Sequence, residues 1–158
     1  MFGSKNDYFK KDLNILIKDR EKLKYILKDI WNLENNLIKV YTDAFDYFIL
    51  NPDSYDGATI VNDFWIIPGL DIWAMLHDYL YIKFNVAVNI KAKYYADLFY
   101  CQQMRNFKVS WGAVWLVRFS GLTLSGLFFI PREKFYKKKF FSAKQKKEFY
   151  SIILPLIK

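Results

Sequence analysis

Residues 13–50 carry two apolar periods at once, and the choice between them decides the fold class. Leu13, Ile15 and Ile17 recur at every second position, as do Leu23, Tyr25 and Leu27, and then Trp31 and Leu33. That is the period of a half-buried strand. Leu16, Leu23, Ile26, Leu27 and Ile30 also fall on one helical stripe. Asp19-Arg20 and Glu34-Asn35-Asn36 stand between the apolar runs and have turn chemistry. They tip the balance to strands, so an antiparallel β-meander is expected here. Residues 45–50 form its last strand, stopped by Asn51-Pro52.

The chain has 158 residues, of which 53% are hydrophobic and 20% aromatic, enough for an ordered core and too many for disorder. Abundant Phe, Tyr, Lys, Ile and Asn suggest an AT-rich microbial or phage genome. One cysteine, Cys101, excludes a disulfide framework. With His77 as the sole histidine, soft-metal clusters are excluded too, which leaves oxygen-liganded ions. The opening MFGSKNDYFKKDLN lacks the apolar segment of a signal peptide, and residues 1–11 read as polar and frayed. The expected location is therefore host cytoplasm or virion.

After Asn51 comes a loop of turn formers, NPDSYDGATIV. In it Asp56 either closes an Asx turn or faces a site. Pro68-Gly69 interrupts the apolar run DFWIIPGL, and Asp71 is placed to cap a helix whose bulk is Ile72, Trp73, Met75, Leu76, Tyr79 and Leu80. A second helix is expected over 93–107 and a third over 112–121. Residues 111–130 are mostly apolar, but Arg118 sits in their middle, where a membrane span is disfavoured by roughly 2.5–3.5 kcal/mol. Gly121, Thr123, Ser125 and Gly126 interrupt the run further, so a buried helix is preferred to a span. Ser142 is placed to cap a terminal helix with Phe149, Ile152 and Ile153 on one face. The net charge of +8 is concentrated in 132–147, where Arg132 and seven lysines, ending in Lys147, face Glu133 alone. The expected architecture is α+β: an N-terminal antiparallel β-meander, a three-helix segment and a basic C-terminal extension. Residues 1–130 form one domain and 131–158 the extension.

The chemistry-bearing residues cluster in AMLHDYLYI and YYADLFY. On a helix His77 and Asp78 point about 100° apart, so Asp78 is not the partner of the imidazole. Tyr81, at i+4, shares the face of His77. Asp97 on the next helix is the candidate to fix the His77 tautomer, leaving the other ring nitrogen to take a proton from water. Asp78 would then bind a hard cation that polarises an ester carbonyl.

LHDYLY followed by ADLFY resembles the HDxxY…AD pattern of phospholipase A2 enzymes, especially the short disulfide-free form of parvovirus capsid proteins. The ordered blocks DGATIV, LHDYLY, ADLFYCQQMR and AVWLVRFSG, over residues 56–121, are also similar to an uncharacterised phage and bacterial family. Its members read DGAS-Ile-Pro, HDxLY, ADxxF and VRxFG. Here Val61 replaces that proline and Tyr100 that phenylalanine. The phospholipase resemblance implies His77 as base, Asp97 as its partner, Tyr81 as a supporting hydroxyl and Asp78 as ligand to Ca2+. Where those enzymes carry a glycine-rich calcium loop, this chain has IPGL, with one glycine. The family resemblance implies a β-rich N-terminal part.

The alternative is architectural: Asp56, Asp97, His77 and Arg118 as a buried polar network, since a buried Arg118 needs a partner. The basic stretch 132–147 interleaves lysines with Phe135, Tyr136, Phe140 and Phe141. It suits an anionic membrane surface, or an acidic or nucleic-acid partner, or else packing on the core or a neighbouring subunit. No Walker loop, strand-linked GxGxxG or GxSxG elbow is present. Two functions are expected on these grounds: cation-assisted ester hydrolysis of lipid, or a non-enzymatic virion or tail-associated component assembling with itself or with a virion. A holin-like protein is a third, requiring 111–130 to span.

Overall fold

Asp12 starts the first helix, α1 (Leu13–Tyr25), by accepting the Asn14 N–H on its carboxylate at 2.9 Å. The structure, a computed structural model, describes residues 7–55, 67–86, 89–106 and 142–157. Along α1 the period-two set faces outward: Leu13 is 56% exposed, Ile15 and Ile17 49% each. Leu16 at 2% and Leu23 at 0% point inward. The helical stripe therefore wins, and the expected β-meander does not form. Ile26 and Leu27 continue the buried stripe into a wider π turn, Ile26–Ile30, whose last members Asp29 and Ile30 are exposed. Asn32, at φ 50°, ends it in the left-handed conformation, with the Leu33 N–H folded back on the Leu27 carbonyl at 2.9 Å.

The second helix, α2 (Asn35–Leu50), covers the expected last strand and buries Leu37, Ile38, Tyr41, Ala44, Phe45 and Phe48, one face at helical spacing. Asp19-Arg20 is not a turn. It lies inside α1, where Arg20 forks onto Asp46 of α2 (Nε–Oδ1 2.5 Å, Nη2–Oδ2 2.7 Å). Asp19 accepts the Tyr8 hydroxyl at 2.6 Å. Residues 8 and 9 are correspondingly not frayed. Tyr8 and Phe9 are buried in a 3-10 turn, Tyr8–Lys10, where the Phe9 ring meets Phe45, Phe48 and Tyr55. Among the described residues no strand occurs; the only β feature is a lone bridge between Ile67 and Leu70. It closes a tight turn over Pro68 and Gly69, and Gly69 takes φ 84°, which a β-carbon would oppose. The protein is helical here, not α+β.

Five α-helices are described, and α3 (Ile72–Phe84), α4 (Ile90–Asn106) and α5 (Ala143–Ile153) complete them. Asp71 caps α3 as expected, accepting the N–H groups of Trp73 and Ala74 on one oxygen at 3.1 and 3.0 Å. The Trp31 ring stacks on that of Trp73, 6.0 Å between centroids and nearly parallel. The chain divides into two compact units, Met1–Tyr79 and Leu80–Lys158, and the boundary falls within α3.

In the second unit Asn85, at φ 52°, ends α3, and the Asn89 side chain caps α4 through the Ala92 N–H at 3.0 Å. Ser142 caps α5 in a reciprocal box with Gln145, as its position promised. Phe149 and Ile153 of α5 are fully buried. The Phe149 ring meets Phe84, and Tyr150 meets Tyr95 of α4 edge-on. Lys83 pairs with Glu148 at 3.4 Å. Among the described residues no helix is long and apolar enough to cross a membrane. Asp56, Arg118, the expected third helix at 112–121 and the apolar run 111–130 lie outside the described residues, as do 131–141 of the basic stretch.

Candidate functional site

Asp97 is held on the inner side of α4. Its Oδ1 accepts the Tyr81 hydroxyl at 2.7 Å, and its Oδ2 meets Lys93 Nζ at 2.5 Å. Lys93 and Asp97 are one helical turn apart, so the pair forms within α4, while Tyr81 reaches it from the end of α3. The two charged side chains are 6% and 5% exposed. Such burial is tolerated because each charge meets its opposite and both carboxylate oxygens are bonded.

Sequence reasoning placed Tyr81 and Asp97 in one site, and the structure brings them together. It did not include Lys93. The signal was available in the spacing Lys93–Asp97, since oppositely charged residues at i and i+4 share a helix face. Nothing local distinguishes a buried pair of this kind from the many exposed ones.

His77 and Asp78 lie in the first unit, on the part of α3 before Tyr79. His77 Nδ1 is 3.6 Å from Asp78 Oδ1, too long for a hydrogen bond and an ion pair only when the imidazole is protonated. Both side chains are partly buried. In the same unit, Asp71 is a buried carboxylate whose affinity for its proton is raised above the ordinary range by burial. The Ala74 and Trp73 N–H groups, and more weakly the charge of His77, oppose that shift. Tyr41 is fully buried, and its hydroxyl has no hydrogen-bond partner among the described residues. Burial, reinforced by the Asp71 charge, holds that hydroxyl in its neutral form.

Among the described residues no three His, Cys, Asp or Glu side chains gather where an ion could be held. Comparison with protein-family models, with curated proteins and with solved structures gives no match.

Proposed function

We propose that the protein is a non-enzymatic phage component of the virion or tail-associated kind, in which Lys93, Asp97 and Tyr81 form a buried polar network that fixes α4 against the end of α3. The carrying observation is the 2.5 Å contact between the Lys93 ammonium and the Asp97 carboxylate, away from solvent. A carboxylate that assists a histidine base works by offsetting the positive charge that develops on the imidazole. Here the Lys93 ammonium already lies against the Asp97 carboxylate. The phage setting rests on the ordered blocks in residues 56–121.

One contact favours the second reading, a hydrolase resembling phospholipase A2. The Tyr81 hydroxyl donates to Asp97, as the supporting hydroxyl of that resemblance would. The test is fatty-acid release from mixed phosphatidylcholine and phosphatidylglycerol vesicles with calcium, for the native chain and His77→Gln. The proposal expects no release above a protein-free blank from either protein. Release by the native chain that disappears in His77→Gln overturns it in favour of the hydrolase.

A further inference from the structure

Tyr94, Tyr95 and Tyr150 form a continuous run of rings across α4 and α5, within the second unit. The Tyr94 and Tyr95 centroids are 5.6 Å apart, and Tyr150 of α5 meets Tyr95 edge-on at 5.8 Å. Tyr94 is 45% exposed and Tyr95 is half-buried. The Tyr150 hydroxyl is itself buried, so this ring is the support and the other two are the surface. Exposed lysines stand around them. Lys91, one helical turn before the tyrosines of α4, falls between them on the helix surface. Lys146 and Lys147, one turn before Tyr150, fall on either side of it on α5. The acids of the two helices are turned elsewhere. Asp97, the one acid of α4, is buried against Lys93. Glu148, the one acid of α5, stands about 160° round the helix from Tyr150 and pairs with Lys83. Lys91, Lys146 and Lys147 have no ion pair among the described residues.

We infer that this face of α4 and α5 binds single-stranded nucleic acid. Charge complementarity selects an anionic partner, and the rings select among the anionic ones. A single strand alternates phosphates with unpaired bases, so it rewards lysines and flat rings set among one another. Lys91 between Tyr94 and Tyr95 is that mixture. A bilayer surface instead requires the two kinds of side chain to be separated, with an apolar face sunk below a charged one. Here the exposed rings could not enter the acyl boundary without taking the Lys91 ammonium with them. A duplex matches the lysines but keeps its base faces stacked inside. An acidic peptide also matches the lysines and offers nothing flat to the rings. Lys146 and Lys147 belong to the basic stretch singled out by its charge; the structure adds the ring cluster and Lys91 of a separate helix. The inference does not depend on the role given to Asp97.

The test is fluorescence anisotropy of a labelled oligothymidylate of about sixteen nucleotides, titrated with the full chain over a series of salt concentrations. Stacking and phosphate contact do not read the sugar, so an oligouridylate should bind comparably. Tyr94→Ala should weaken binding about tenfold and leave its salt dependence unchanged, while Tyr94→Phe, which keeps the ring, should bind as the native chain does. Lys91→Gln with Lys146→Gln should lower the slope of log affinity against log salt by about 1.4, two phosphate contacts' worth. Lys144→Gln, about 120° round α5 from Tyr150, should leave binding close to native. These positions are exposed, so all the variants should keep the native circular dichroism and melting temperature. Four outcomes overturn the inference: no binding to the oligonucleotide; native affinity in Tyr94→Ala, which moves the binding to other basic residues of the chain; a duplex of the same length bound more tightly than the single strand; or displacement of the strand by polyglutamate or by phosphatidylglycerol vesicles at matched charge, which assigns the face to an acidic protein or to a membrane.

Discussion

Lys93 and Asp97 meet at 2.5 Å, one helical turn apart and withdrawn from solvent, with Tyr81 bonded to the second carboxylate oxygen. Because the charges are buried, removing one partner strands the other. Lys93→Met or Asp97→Leu alone should lower unfolding stability by about 3–5 kcal/mol. The double replacement should recover most of that loss, since an apolar pair of similar volume no longer carries a stranded charge. Tyr81→Phe should lower stability by about 1.5–3 kcal/mol, the range for a hydrogen bond to a charged group. Urea titrations of the four variants measure these differences. Additive single losses in the double variant would show that the pair is not coupled.

Arg20 grips both oxygens of Asp46 and ties α1 to α2, but both side chains are partly exposed. Its contribution should accordingly be modest, roughly 1 kcal/mol. Arg20→Lys should lose most of it, because an ammonium cannot reproduce the two-toothed grip. The loss should shrink in molar salt, unlike that of Lys93→Met. Melting temperatures at low and high ionic strength separate the two.

Much of the helical half was legible because its signals are local. Asp71 and Ser142 announce helix starts through short polar side chains placed before apolar runs, and both cap as expected. The first fifty residues were misread for a non-local reason. Leu13, Ile15 and Ile17 imitate a strand only if apolar residues are assumed to be buried, and here they are not. Asp19 and Arg20 imitate a turn only while their partners, Tyr8 and Asp46, are out of view. In the candidate site, motif spacing pointed to Tyr81 and Asp97, whereas Lys93 needed knowledge of burial that no spacing carries. A chain with apolar residues outside and charged residues inside defeats pattern reading at just those positions.

Asp71 combines a useful cap with an unfavourable burial, and the two can be separated. Asparagine caps about as well as aspartate, so Asp71→Asn should keep the bonds to Trp73 and Ala74. Asp71→Ala loses them and should be less stable than Asp71→Asn by about 1–2 kcal/mol. Burial raises the carboxyl above its ordinary value of 3.8, so the folded protein holds this proton more tightly than the unfolded chain. The group's stabilising contribution is complete below 3.8 and is lost as pH rises through the raised value. The native chain should therefore gain on Asp71→Asn as pH falls from neutral toward 3.8, as read by urea unfolding across that range.

At alkaline pH the buried tyrosines should dominate. Burial raises the Tyr8 hydroxyl well above its ordinary value of 10.0, and the bond it donates to Asp19 adds to the shift. Burial and the Asp71 charge do the same for Tyr41. Both phenols are raised, so their stabilising effect is fully present below 10.0 and is lost as pH climbs beyond it. Each should add about 1.4 kcal/mol per pH unit to the loss of stability above that point. Phenylalanine at either site should flatten the alkaline limb by one proton. At neutral pH the two replacements should differ in sign. Tyr8→Phe gives up a hydrogen bond to a carboxylate and should lower stability by about 1.5–3 kcal/mol. Tyr41→Phe removes a buried hydroxyl that has no partner among the described residues and should raise it by about 1 kcal/mol. Unfolding in urea at neutral pH and above 10.0 reads both effects, and a destabilised Tyr41→Phe would mean that its hydroxyl is bonded in solution.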